Sequence, residues 1–140
     1  MTAPSVVFVC GRNAVSSPMA EALWKARFGA DAHARSCGVE PAAWPDGFMI
    51  AVMAELGLDL SEFECRDLAE TADDPVQLVI CLAKDADPAA SSFAEARGAD
   101  YVLWSVPDPA MAEGSREVRL DAYRQARDDI SARIDGFIPA

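Results

Sequence analysis

The 140-residue chain predicts a doubly wound α/β domain, a four-stranded parallel sheet with helices on both faces. Three observations predict it. Short apolar runs without alternation, VVFV (6–9) and VQLVICL (76–82), have the pattern of strands buried on both faces. Segments with apolar residues at helical spacing separate such runs, and that order implies parallel strands joined by right-handed crossovers. No repeat, low-complexity tract or linker interrupts the chain, and 51% apolar residues suffice for a single domain over 1–140.

Taken in order, Val6–Val9 is the first strand, with Cys10 at its end. From Ser17 the residues Met19, Ala22, Leu23 and Ala26 fall on one helical face, with Pro18 suited to a first helical position and Gly29 to a stop. AHARSCGV (32–39) is a weaker second strand that includes His33. After the turn-rich EPAAWPDG, Met49, Val52, Met53 and Leu56 mark a helix closed by Gly57. Residues 58–75 read as loop or short helix. VQLVICL is the central strand, 87–98 a helix after Pro88, and YVLW (101–104) the fourth strand. SVPDPAMAEG is a loop. In the last helix, 115–135, Leu120, Tyr123, Ile130 and Ile134 share a face.

Charge and cysteine usage narrow the function. The net charge of −11 disfavours nucleic acid, whose phosphates need a surplus of lysine and arginine. No apolar stretch approaches the roughly 18 residues of a membrane span, and MTAPS lacks the basic segment of a secretory signal. Cys10, Cys37, Cys65 and Cys81 form no C-x-x-C pair, and His33 is the one histidine, so a structural zinc site has almost no support. A reducing, cytoplasmic setting follows from the absent signal.

The chemistry concentrates in CGRNAVSSP (10–18). A loop from a strand into a helix N-terminus gathers unpaired backbone N–H groups in one concave place, and the helix dipole adds positive charge. Phosphate-like anions bind there, and the same field favours a thiolate on a cysteine at its base. Ser17 can donate to that sulfur, and Asn13 suits a left-handed turn. The bland alternative makes Cys10 a buried strand-end residue and Ser17 an N-cap.

The ordered set Cys10, Asn13, Ser17, Pro18, followed by Met-Ala-Glu-Ala (19–22), resembles the opening of the low-molecular-weight protein tyrosine phosphatases, a family that also includes thioredoxin-coupled arsenate reductases. SCG (36–38), WPD (44–46) and DP (108–109) extend the resemblance along the chain. It implies a flavodoxin-like topology and a phosphate-binding loop of Gly11, Arg12, Asn13, Ala14, Val15, Ser16 and Ser17. It further implies Cys10 as nucleophile, Asp108 as general acid and then base, and Trp44 in the pocket wall, with no metal or cofactor. Trp104 is a further candidate for the pocket border, although a buried core position is the commoner place for either tryptophan. Expected ligands are a phosphotyrosine protein, a small aryl phosphate, or inorganic phosphate or sulfate.

Ser16 departs from the family pattern, which carries an arginine six positions after the cysteine. That arginine's planar fork grips two phosphate oxygens, whereas serine is short and uncharged. Arg12, at the third position of the loop, is expected to point elsewhere. The chain therefore reads as an impaired phosphatase, with a binding-only protein as the alternative. The arsenate-reductase branch needs two thiols after the third strand, where the sequence offers only Cys81. A flavodoxin-like cofactor carrier would also place a phosphate loop after strand one.

Overall fold

The computed structural model describes residues 3–29 and 32–137. Four strands, β1 (Val6–Cys10), β2 (Ala34–Gly38), β3 (Leu78–Cys81) and β4 (Asp100–Leu103), form one sheet in the order β2-β1-β3-β4. All three pairings are parallel, with Cys10 opposite Gly38 and Val9 opposite both Cys37 and Cys81. The predicted sheet is thus the observed one. Strand ends moved by at most two residues, and His33 stands just before β2, exposed.

The four helices are α1 (Ser16–Phe28), α2 (Gly47–Ala54), α3 (Asp87–Arg97) and α4 (Arg116–Asp135). Strand alternation sorts the core into two layers. Val6 and Phe8 of β1 pack with Met19 and Leu23 of α1, Met49 and Met53 of α2, and Leu120, Ile130 and Ile134 of α4. Val7 and Val9 face the other way, onto Cys37, Val79 and the small residues Ala90 and Ala94 of α3. Three helices therefore cover one face and α3 the other.

Local chemistry fixes the helix ends. Asp46 caps α2, its Oδ1 accepting from Phe48 N (2.8 Å) and Met49 N (3.2 Å). Ser115 caps α4 through Val118 N. Gly98, at φ 65°, ends α3 in the left-handed region that glycine enters without a steric penalty. The predicted helix over Met49–Leu56 begins two residues earlier, at Gly47, because the Asp46 cap starts it.

Strand order reverses between β1 and β3: β1 leads to β2 on one side, and β3 and β4 extend the other. Loops leaving the carboxyl ends of β1 and β3 diverge there and leave a crevice, the place where open parallel sheets take ligands.

Candidate functional site

The loop 11–15 leaves Cys10 at this crevice and curls around its sulfur. Its carbonyls are held on the outside by the segment after β2. Cys10 O accepts from Val39 N (3.1 Å), Gly11 O from Glu40 N (2.8 Å), Arg12 O from Ala42 N (2.8 Å) and Ala14 O from Asp46 N (3.0 Å). Among the described residues, the N–H groups of Arg12, Ala14 and Val15 have no protein acceptor. Asn13 N–H donates to Cys10 Sγ at 3.2 Å. Ser16 and Ser17 open α1, whose first amides also lack intrahelical partners, and Val15 supplies no side-chain cap. Carbonyls facing out and amides unpaired make a site for an anion.

Asn13 and Ser17 are fully buried behind the loop and organise it. Asn13 has φ 53°, the left-handed turn that brings its own amide onto the sulfur. Its Nδ2 donates to Ser17 Oγ (2.9 Å) and Ser36 Oγ (3.0 Å), and its Oδ1 accepts from Arg66 N (2.8 Å). Ser17 Oγ also lies 2.8 Å from Cys10 Sγ, and a thiolate there can only accept from the Ser17 hydroxyl. Ser17 is therefore a partner of the sulfur and not an N-cap. Ser36 in turn donates to Glu21 Oε1 (2.7 Å), and Glu21 pairs with Lys25 and Arg66. The polar chain leaves none of these side chains unsatisfied, as a buried network requires.

Above the sulfur lies a cavity of about 660 Å³. Cys10, Gly11, Arg12, Ala14, Val15 and Ser16 form its floor, and Asp46, residues 83–85 after β3 and residues 105–108, 110 and 111 after β4 form its sides. Asp108 is exposed on the rim, its Oδ1 accepting from Ala110 N (2.9 Å), while its Oδ2 has no protein partner among the described residues. Asp46 also lines the cavity, but its oxygens are engaged by the α2 cap and by Tyr123 OH (2.8 Å). Burial, with Asp46 and then Asp108 close by, pushes the Tyr123 phenol up, so it remains a neutral donor.

Two expectations need correction. Trp44 does not wall the pocket: it is 80% exposed and outside the lining, because the hydrogen bonds of Ala42 N and Asp46 N tie the turn's backbone to the loop and leave position 44 facing solvent. The apolar wall comes instead from Val106, Pro107 and Met111. Arg12 does not turn wholly away from the site; it contributes to the lining and lies near Cys65, where its charge opposes the upward push of burial on that thiol. Trp104 is half-buried and packs on the main core.

Lys84 and Asp85 escaped the reading of the sequence, and Gly38 entered it only within SCG (36–38), with no role assigned. KDA (84–86) begins directly beyond β3 at the crevice, so the rule for ligands on parallel sheets was the available signal. Gly38 had no local signal. A Cβ there would lie 2.7 Å from Asn13 N, 2.8 Å from Arg12 C and 3.0 Å from Gly11 O, so the loop crosses the end of β2 where only glycine fits.

The other thiols are held away from this chemistry. Cys37 is fully buried and desolvation pushes it up to about 12. Cys81 closes β3, donates its S–H to Ala83 O (3.1 Å) and is also raised by burial. The residues after β3 that line the cavity are Ala83, Lys84 and Asp85, none of them a thiol. Among the described residues, no helix is long and apolar enough to cross a membrane.

Comparison with known proteins agrees with this geometry. The family model described as low molecular weight phosphotyrosine protein phosphatase matches residues 5–140. An arsenate reductase of Halalkalibacterium halodurans is 33% identical over 135 residues, covering 94% of this chain and 93% of that protein. Among solved structures, an arsenate reductase in its phosphate-binding state superposes with a TM-score of 0.73 at 27% identity, covering 96% of this chain and 95% of the other. The tyrosine phosphatase amsI of Erwinia amylovora shares the fold, with a TM-score of 0.76 at 18% identity and coverage of 96% and 90%. A match across nearly the whole length, joined to the thiol at the base of the amide loop, places the chain in the low molecular weight phosphotyrosine protein phosphatase family.

Proposed function

We propose that this protein binds phosphomonoesters in the Cys10 loop and hydrolyses them slowly through a cysteinyl-phosphate. The observation that carries the reading is the position of Cys10 Sγ, which takes hydrogen bonds from Asn13 N–H and the Ser17 hydroxyl beneath the unpaired loop amides. In the first step the sulfur attacks phosphorus, an S–P bond forms as the P–O ester bond breaks, and protonated Asp108 gives its proton to the departing oxygen. In the second, Asp108 takes a proton from water as the water oxygen attacks phosphorus, which releases phosphate and restores the thiolate. Ser16 explains why turnover is slow. It cannot supply a bidentate fork, and Lys84 on the cavity side is only a point charge.

The relatives named as arsenate reductases give a second reading equal standing by similarity. Cysteine placement supports hydrolysis over reduction: the cavity-lining positions after β3 are Ala83, Lys84 and Asp85, and Cys81 points its S–H into a backbone carbonyl.

Hydrolysis of p-nitrophenyl phosphate tests the proposal. Ser16→Arg is expected to raise the rate about 10³-fold or more, within the range for arginines that stabilise phosphoryl transfer. Cys10→Ser in that background should abolish it, and Asp108→Asn should reduce it where Asp85→Asn does not. No gain from Ser16→Arg, with inorganic phosphate still bound, would replace hydrolysis by binding alone; arsenate reduction coupled to thioredoxin would favour the other branch.

A further inference from the structure

The distribution of positive charge points to a second anionic subsite beside the first. The chain has 12 lysines and arginines against 23 acids. Seven of those cations pair with carboxylates, and Arg97 donates to the carbonyls of Thr71 and Asp74. Among the described residues the four cations without an acceptor are Arg12, Lys84, Arg116 and Arg119. All four line two adjoining depressions: Arg12 and Lys84 the main cavity, Arg116 and Arg119 a shallower one of about 390 Å³ that shares Asp46 with it.

In this second depression both guanidinium groups stand over the ring of Phe48, with Arg119 Cζ 4.7 Å and Arg116 Cζ 5.9 Å from its centroid. Phe48 is itself fixed by contact with Tyr123, ring centroids 5.3 Å apart. Stacking on an aromatic face orders an arginine while leaving its edge N–H groups free to donate. Asp46, the carboxylate of this depression, forms no ion pair with either arginine; its oxygens accept from Phe48 N, Met49 N and Tyr123 OH. The two depressions also carry Asp46, Asp85 and Asp108, so four cations exceed three carboxylates there, in a protein whose net charge is −11.

We infer that Arg116 and Arg119 bind a second acidic group on the substrate, so that the protein selects phosphotyrosine segments flanked by aspartate or glutamate. This rests on the proposed phosphomonoester site. The surrounding net charge of −11 sets a limit: it repels an extended polyanion, so the match is to one or two acidic groups close to the phosphoryl group.

The experiment measures binding of two peptides built around a non-hydrolysable phosphonate analogue of phosphotyrosine, one with glutamate and one with glutamine at the two positions on each side. Inorganic phosphate, titrated alone, reports on the loop. The glutamate peptide is expected to bind the wild-type protein about three- to tenfold more tightly, the scale of one or two partly exposed ion pairs. That ratio should fall towards one in Arg116→Gln/Arg119→Gln and at high salt. Equal binding of the two peptides, or a preference that survives the double substitution, overturns the inference and leaves the phosphate site standing if inorganic phosphate binds. If neither peptide nor phosphate binds, the phosphate site falls and the second subsite with it.

Discussion

Removing the Asn13 side chain should damage this protein more than any other single change in the loop. Asn13 is fully buried, sits at φ 53°, and uses its amide group in three hydrogen bonds, to Ser17, Ser36 and Arg66. In Asn13→Ala the alanine must hold a left-handed conformation, at about 1–2 kcal/mol. The Arg66 N–H loses its acceptor in a part-buried place, at about 1–3 kcal/mol. Ser17 and Ser36 keep their other partners, so they add little. The expected loss is about 2–5 kcal/mol, a large share of the 5–15 kcal/mol typical of a domain. Equilibrium unfolding in urea, followed by the fluorescence of buried Trp24, measures it. Asn13→Gly separates the terms, because glycine accepts the backbone angle and restores only that part; it should be about 1 kcal/mol more stable than Asn13→Ala. A loss under about 1 kcal/mol for Asn13→Ala, or no recovery in Asn13→Gly, refutes the claim that this residue holds the loop.

Two further outcomes follow from the same structure. Gly38→Ala drives a Cβ into the backbone of residues 11–13, which cannot rotate aside as a side chain would, so the loop must shift. Calorimetry should show at least a tenfold loss of phosphate affinity, and an unfolding measurement about 1–3 kcal/mol of destabilisation; unchanged affinity would show that the loop's path does not set the site. Glu55, which binds Arg124 and then Arg127, is held at about 2, below its ordinary 4.5. Its folded-state value is depressed, so its contribution to stability is present above 4.5 and fades as pH falls towards 2. Thermal melts should show wild type above Glu55→Gln at pH 7, with a modest gap, since the pair is solvent-exposed, that narrows below pH 4.5; a gap constant with pH would sink the assignment.

The sequence by itself determined the layers, the order of strands and helices, and the place of the thiol at the first strand's end. Each of these follows from periodicity, glycine and proline stops, or one contiguous loop, and so is written within a dozen neighbouring letters. Asn13 and Ser17 were legible for the same reason, since their partners at Cys10 lie three and seven residues away. The tertiary structure alone decided what distant segments do to one another. Gly38 must be glycine because the loop 11–13 passes over it, and Asp46 is occupied because Tyr123 reaches it from α4. Trp44 suggested a pocket wall by its neighbours Pro45 and Asp46, yet backbone bonds to the loop leave it facing solvent. Lys84, Arg116 and Arg119 are ordinary surface cations in a linear reading. They gather at one mouth only because the strand order brings the ends of β1 and β3 together and α4 lays its first turn against α2.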